Sequence, residues 1–118
     1  MIDARPQRGR AGEDAAAALY RGLGFDLLSR NWRCRAGELD LVAGRDDLIV
    51  FCEVKARSGG AFGGGFEAVT AAKQRKVRQL AELFLAAHEL SPERVRFDVA
   101  SVHLGPRGAD VELFRDAF

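Results

Sequence analysis

A chain of 118 residues with 47% apolar and 30% charged side chains supports one hydrophobic core, so a single domain over residues 1–118 is expected. Its formal net charge of +1 excludes a global field that would carry it onto nucleic acid or an anionic membrane, and any polyanion contact has to come from local clustering. Cys34 and Cys52 show no CxxC pairing and no histidine at ligand spacing, which argues against a zinc site or a disulfide framework.

The N-terminal segment MIDARPQRGRAG lacks an apolar h-region and sets Arg5, Arg8 and Arg10 around Gly9 as a basic arm. GEDAAAALYRGLGF then carries Ala16, Leu19, Tyr20 and Leu23 at helical spacing with Gly24 as a stop, predicting a helix over about residues 10–23. Three β-type runs follow, FDLLSRNWR, ELDLVAG and LIVFCEVKAR, the last two parted only by Arg45-Asp46-Asp47, and a meander is the simplest arrangement. The glycine-rich SGGAFGGGF predicts a mobile loop. Thr70 offers an N-cap to TAAKQRKVRQLAELFLAAH, in which Val77, Leu80, Ala81, Phe84 and Ala87 mark a second helix. VRFDVASVHL and, after the turn GPRG, DVELF suit a closing hairpin. The order is αβββαββ, an α/β sheet with helices packed on it. No stretch approaches about 18 apolar residues, so a cytoplasmic protein that does not span a membrane is expected.

Within LIVFCEVKAR the charged pair Glu53 and Lys55 needs an explanation, because a charge removed from water costs several kcal/mol unless it is paired or bound to metal. A hairpin centred on Asp46-Asp47 sets Asp40 directly opposite Glu53, with Cβ atoms about 4.5–5.5 Å apart on one face, and period two adds Glu38 and Lys55 to that face. Two carboxylates so placed call for a shared proton or a cation between them. Mg²⁺ suits the arrangement, since it takes one or two carboxylates and completes its shell with water and phosphate oxygens. Lys55 would then orient an attacking water or offset charge growing on phosphorus, as metal-assisted phosphodiester cleavage requires. An isolated ExK on an edge strand is more often a solvated face; Asp40 opposite it is what points to chemistry.

Asp40 followed by Glu53-Val54-Lys55 resembles the D…(D/E)xK signature of the restriction-endonuclease-like superfamily, with Leu39 where a proline often stands. More closely, GRAGEDAA, GFDLLSRNWRCRAGELDLVAGRDD, LIVFCEVKARS, FGGGFEAVTAAKQRKV and RFDVASV resemble the bacterial YraN-like family of small nucleases, similar in fold to archaeal Holliday-junction resolvases. The resemblance runs from Gly9 to Val102. It implies a restriction-endonuclease-like fold with a central mixed sheet of about five strands, Asp40, Glu53 and the Val54 carbonyl as ligands of Mg²⁺ or Mn²⁺, Lys55 as the catalytic lysine, and Glu13 as an accessory acid. It also implies a DNA substrate, branched structures included, and a homodimer.

For Glu13 the residues alone offer a second account, an acid in a first helical turn favoured by the helix dipole. Lys73 prolongs the apolar stripe of the second helix by one turn, towards the third strand, and either aims at the site or covers apolar surface. Arg75, Lys76 and Arg78 project elsewhere, as a solvated face. Arg30, Arg33 and Arg35 flank Asn31 and Trp32 just before the acidic hairpin, and Trp32 reads as a packing residue before a base-stacking platform. Arg10, Arg33, Arg35, Arg57 and Lys73 are the expected nucleic-acid contacts. His88 and His103 have no partner spacing and no assigned role. The competing function class is a non-catalytic nucleic-acid-binding or protein-interaction module on the same fold.

Overall fold

The computed structural model describes residues 7–58 and 69–118. In chain order it contains α1 (Gln7–Gly22), β1 (Asp26–Cys34), β2 (Gly37–Arg45), β3 (Leu48–Ser58), α2 (Ala71–Ala87), β4 (Arg94–Gly105) and β5 (Gly108–Phe114). The five strands form one sheet in sequence order. β1, β2 and β3 make the expected antiparallel meander, β4 joins β3 in parallel, and β5 returns antiparallel to β4. The predicted αβββαββ order and mixed sheet are both present. Apart from Ser58, which ends β3, the glycine-rich run expected as a loop falls outside the described residues.

One helix covers each face of the sheet. Alternation in β3 decides which: Val50 and Cys52 pack with Ala16, Ala17 and Tyr20 of α1, whereas Ile49 and Phe51 pack with Val77, Leu80, Ala81 and Phe84 of α2. Aromatic edges tighten the second layer, with Phe84 T-shaped against both Trp32 at 5.4 Å and Phe51 at 5.9 Å. Trp32 is therefore a packing residue, as expected. Burying a side chain the size of Phe84 contributes on the order of 2–3 kcal/mol.

The helix ends follow their chemistry. Thr70 Oγ1 accepts from Lys73 N at 3.1 Å, the N-cap the sequence predicts. Gly24, at φ +89°, lets the chain leave α1 in a left-handed turn. Three readings change. The basic arm expected around Gly9 is helical from Gln7 onwards, which leaves Glu13 beyond the first turn and removes the dipole account of it. The α1 stripe runs through Glu13, Ala16, Ala17 and Tyr20, while Leu19 is only partly buried. Ala87, expected on the apolar stripe of α2, is exposed.

Packing of α1 on the sheet is close enough to constrain one glycine. A Cβ built on Gly12 would lie 2.7 Å from the Ala56 Cβ, so only glycine lets this turn of the helix rest on β3. No helix among the described residues is long and apolar enough to cross a membrane.

Candidate active site

The β2–β3 ladder follows the predicted register, from Arg45 facing Leu48 to Leu41 facing Cys52, and stops there. β2 continues with β1 as far as Cys34 and Gly37, and β3 continues with β4 as far as Ser58 and Leu104. The sheet therefore forks, and Asp40 and Glu53 are the next facing positions, one at the base of each arm. Across the fork a side chain replaces the ladder bond: Val54 N donates to Asp40 Oδ2 at 2.8 Å.

An irregularity in β1 lies opposite the fork. Asn31 adopts φ +56°, a left-handed conformation that asparagine tolerates better than most residues. The β1–β2 pairs step from Arg30 with Leu41 to Trp32 with Leu39, skipping Asn31 and Asp40. Strict alternation fails there, so Leu41 packs on the α1 side and Leu39 on the α2 side. This break overturns the expectation that Glu38 shares the face of Asp40 and Lys55. Glu38 instead accepts from Arg33 Nε at 2.6 Å in an exposed pair.

Charge is concentrated at the fork. Asp40 is pushed up to about 7, first by burial and then by the Glu53 carboxylate, with Glu13 adding to the shift; the Val54 N–H bond and Lys73 act against it. Glu53 is buried, and its Oε1 lies 3.1 Å from Lys73 Nζ, so the lysine that prolongs the α2 stripe does aim at the site. Glu13 is buried too, accepts from Asn31 Nδ2 at 3.0 Å, and has Arg30 Nη2 at 3.9 Å. Asn31 Oδ1 is a buried acceptor that no donor reaches among the described residues. Lys55 projects from β3 on the Glu53 side by alternation and is partly buried.

The family model for the uncharacterised protein family UPF0102 matches residues 12–102. A UPF0102 protein of Parafrankia sp. is 49% identical over 111 residues, covering 93% of this chain and 94% of its own. One from Frankia casuarinae is 47% identical over 116 residues, 98% of each chain, and one from Symbiobacterium thermophilum is 48% identical over 111 residues, 93% and 94% of the two. The chain belongs to the UPF0102 family. The YraN-like resemblance of its motifs is borne out, and the names of these relatives state membership without an activity.

In this UPF0102 protein the donors at the fork are hard oxygens, two carboxylates with the Val54 carbonyl next to Glu53 in sequence, and that chemistry fits Mg²⁺ or Mn²⁺. Among the described residues no three His, Cys, Asp or Glu side chains come close enough together to hold a metal ion by themselves. Such a pair suits an ion that keeps several waters and takes substrate oxygens.

Of the remaining expected residues, Arg33, Arg35 and Arg57 lie along the arms. Arg33 and Arg35 are exposed at the β1–β2 hairpin, Arg57 is partly buried near the end of β3, and Arg10 is exposed on α1. Arg5 lies outside the described residues. The face expected to be merely solvated is engaged: Lys76 Nζ donates to Ala36 O at 2.9 Å, and the Arg78 guanidinium sits 4.6 Å from the Phe97 ring centroid. His88, left without a role, stacks on Phe84 at 4.0 Å.

Sequence reasoning missed a third buried carboxylate. Asp98 is fully buried and accepts from Tyr20 Oη at 2.6 Å, from Arg96 Nε and Nη2 at 2.9 Å each, and from Asp116 N at 2.9 Å. Its oxygens are fully used, which marks a structural tie between α1, β4 and the C-terminal residues. Burial, with Asp98 and Cys52 beside it, holds the Tyr20 phenol well above its ordinary value. The signal was available: an acid inside VRFDVASV raises the question that Glu53 raised.

Proposed function

We propose that this UPF0102 protein is a metal-dependent endonuclease hydrolysing phosphodiester bonds in DNA, branched recombination intermediates among its substrates. The observation that carries the reading is the half-buried Asp40 facing buried Glu53 at the fork, with the Asp40 carboxyl pushed up to about 7 by burial and its acidic neighbour. Structural acids in a core are normally satisfied as Asp98 is; a pair left repelling each other invites a cation. Mg²⁺ or Mn²⁺ held by Asp40, Glu53 and the Val54 carbonyl would supply Lewis-acid polarisation of a phosphate oxygen and a more acidic water.

The chain's own groups then have distinct tasks. With a metal bound, Glu53 would be one of its ligands, and Lys73, whose Nζ lies 3.1 Å from Glu53 Oε1, would be placed to meet a substrate phosphate. Lys55 supplies positive charge where it offsets the negative charge developing on phosphorus. Glu13, oriented by Asn31, acts as an accessory acid. Arg33, Arg35 and Arg57 along the arms, and Arg10 on α1, contact the nucleic-acid backbone. A homodimer would pair two such sites, and sedimentation reads that directly.

The test sets wild type and variants against single-stranded, duplex and four-way-junction DNA and against RNA, with Ca²⁺ for binding and Mg²⁺ or Mn²⁺ for cleavage. Lys55→Ala should slow cleavage by a factor on the order of 10² or more while binding changes little. Arg35→Ala should weaken binding and flatten its salt dependence by about one unit of slope for each phosphate it no longer neutralises. One observation favours the alternative, a non-catalytic binding module: Lys73 already neutralises part of the Glu53 charge at 3.1 Å. Salt-dependent binding without cleavage of any substrate would decide for it.

A further inference from the structure

The end of the sheet away from the fork has the opposite electrostatic character. β3 runs from Leu48 at that end to Glu53 at the fork, about 17 Å at 3.3 Å per residue. Arg45, Arg94, Arg96 and Arg115 converge there on a cavity of about 300 Å³ with Phe25 in its wall. The carboxylate among its lining residues, Asp46, is 83% exposed and only 3.9 Å from Arg45 Nε. In a chain whose formal net charge is +1, four guanidinium groups around one hollow are a local excess.

Two of the four are fixed by the fold. Arg96 is held on Asp98 through two 2.9 Å bonds, and Arg45 Nη1 donates to Leu23 O at 2.9 Å at the C-terminal end of α1. Both guanidinium carbons lie 5.9 Å from the Phe25 ring centroid. Capping the helix accounts for Arg45 and the Asp98 tie for Arg96, but neither accounts for Arg94 and Arg115, which make no ion pair among the described residues. Glu93 and Asp116 line the adjoining surface beside Arg94 without reaching ion-pair distance. Two guanidinium groups fixed by the fold and two without an ion pair among the described residues line one hollow with an apolar wall, a setting that suits a tetrahedral dianion accepting from several guanidinium groups at once.

We propose that this cavity binds the phosphate group of a phosphomonoester or diphosphate, independently of the acidic fork. The phosphate comes either from a small free ligand or from the 5′ end of a nucleic acid. The test is thermal melting of the full chain in EDTA with pyrophosphate as probe, against sodium chloride at matched ionic strength, with Asp40→Asn and the double variant Arg94→Ala/Arg115→Ala alongside. Fluorescence titrations with 5′-phosphorylated and 5′-hydroxyl oligonucleotides of one sequence separate the sources. Pyrophosphate should raise Tm saturably where chloride does not. The double variant should weaken its apparent affinity at least about tenfold, and Asp40→Asn should leave it unchanged. Tighter binding of the phosphorylated oligonucleotide, abolished in the double variant, assigns a nucleic-acid end; indifference to the 5′ group with pyrophosphate binding retained assigns a small ligand. The proposal is overturned if neither pyrophosphate nor the 5′-phosphate is distinguished from its control, or if the double variant binds both as wild type does. Because no divalent ion is present, these outcomes are separate from the fate of the nuclease reading.

Discussion

Asp40 is held by two opposed influences, the Val54 N–H that favours its charge and the burial beside Glu53 that disfavours it, and the second prevails. Its folded pKa of about 7 lies above the ordinary 3.8, so the native state holds the proton more tightly than the unfolded chain does. The corresponding stability is complete below the unfolded value and is lost as pH rises through 7. In EDTA, wild-type protein should therefore lose on the order of 2 kcal/mol between pH 5 and pH 8 relative to Asp40→Asn, which keeps an acceptor for Val54 without the charge. Parallel pH profiles for the two proteins in urea melts would refute the shift. Mn²⁺ should act in the opposite sense, raising wild-type Tm at pH 8 by the equivalent of about 1.4 kcal/mol at ten times Kd and far less at pH 5.5, where the carboxyl is protonated. Asp40→Asn should abolish most of that rise.

Two features place the elements, and each can be perturbed alone. Gly12→Ala would ordinarily stabilise a helix by about 1 kcal/mol. Here the added methyl meets Ala56 Cβ at 2.7 Å, and a Cβ on a strand cannot swing aside, so α1 must lift from β3. A net loss of about 1–3 kcal/mol is expected, with weaker Mn²⁺ stabilisation because Glu13 moves with the helix; a variant more resistant to urea than wild type would contradict the packing. The Asp98 tie predicts a different signature. Tyr20→Phe removes one of its bonds and should cost about 1–2 kcal/mol in urea unfolding, whereas Asp98→Ala strands Arg96, the phenol and the Asp116 amide and should cost about 3–5 kcal/mol. Neither substitution touches the fork, so the Mn²⁺ response of the folded fraction should survive.

At the scale of the molecule the fork sets where stability is weakest. β3 and β4 form the longest uninterrupted pairing, from Leu48 with Arg94 to Ser58 with Leu104. Beyond Leu41 the β1–β2 hairpin keeps its own ladder and rests on α2 through Leu39, Trp32 and the Lys76–Ala36 bond, but has no strand on the β3 side. Native-state hydrogen exchange should find the slowest amides in β3 and β4 near residues 50–54, exchanging with global unfolding, and earlier opening at residues 34–38. Uniform protection across both hairpin arms would mean that the fork is not a mechanical boundary.

Periodicity and turn chemistry determined the element order, because α1, α2 and the strands each carry a local pattern that needs no partner to be read. The hairpin register was equally local: Asp46-Asp47 left a two-residue connection, and from it Asp40 opposite Glu53 followed. Helical spacing put Lys73 on the face of Val77 but left two uses for it, and its 3.1 Å contact with Glu53 decided between them. Only the tertiary structure decided that the ladder stops at Leu41 and Cys52, beside a left-handed residue, Asn31, whose conformation no alternation pattern reveals. The burial of Glu13 was hidden for a similar reason: the closeness of α1 to β3 depends on Gly12 meeting Ala56, residues far apart in the chain. Asp98 and the arginine cavity belong to the same class. Their charges come from β2, β4 and the chain after β5, and strand order alone brings them to one end of the sheet.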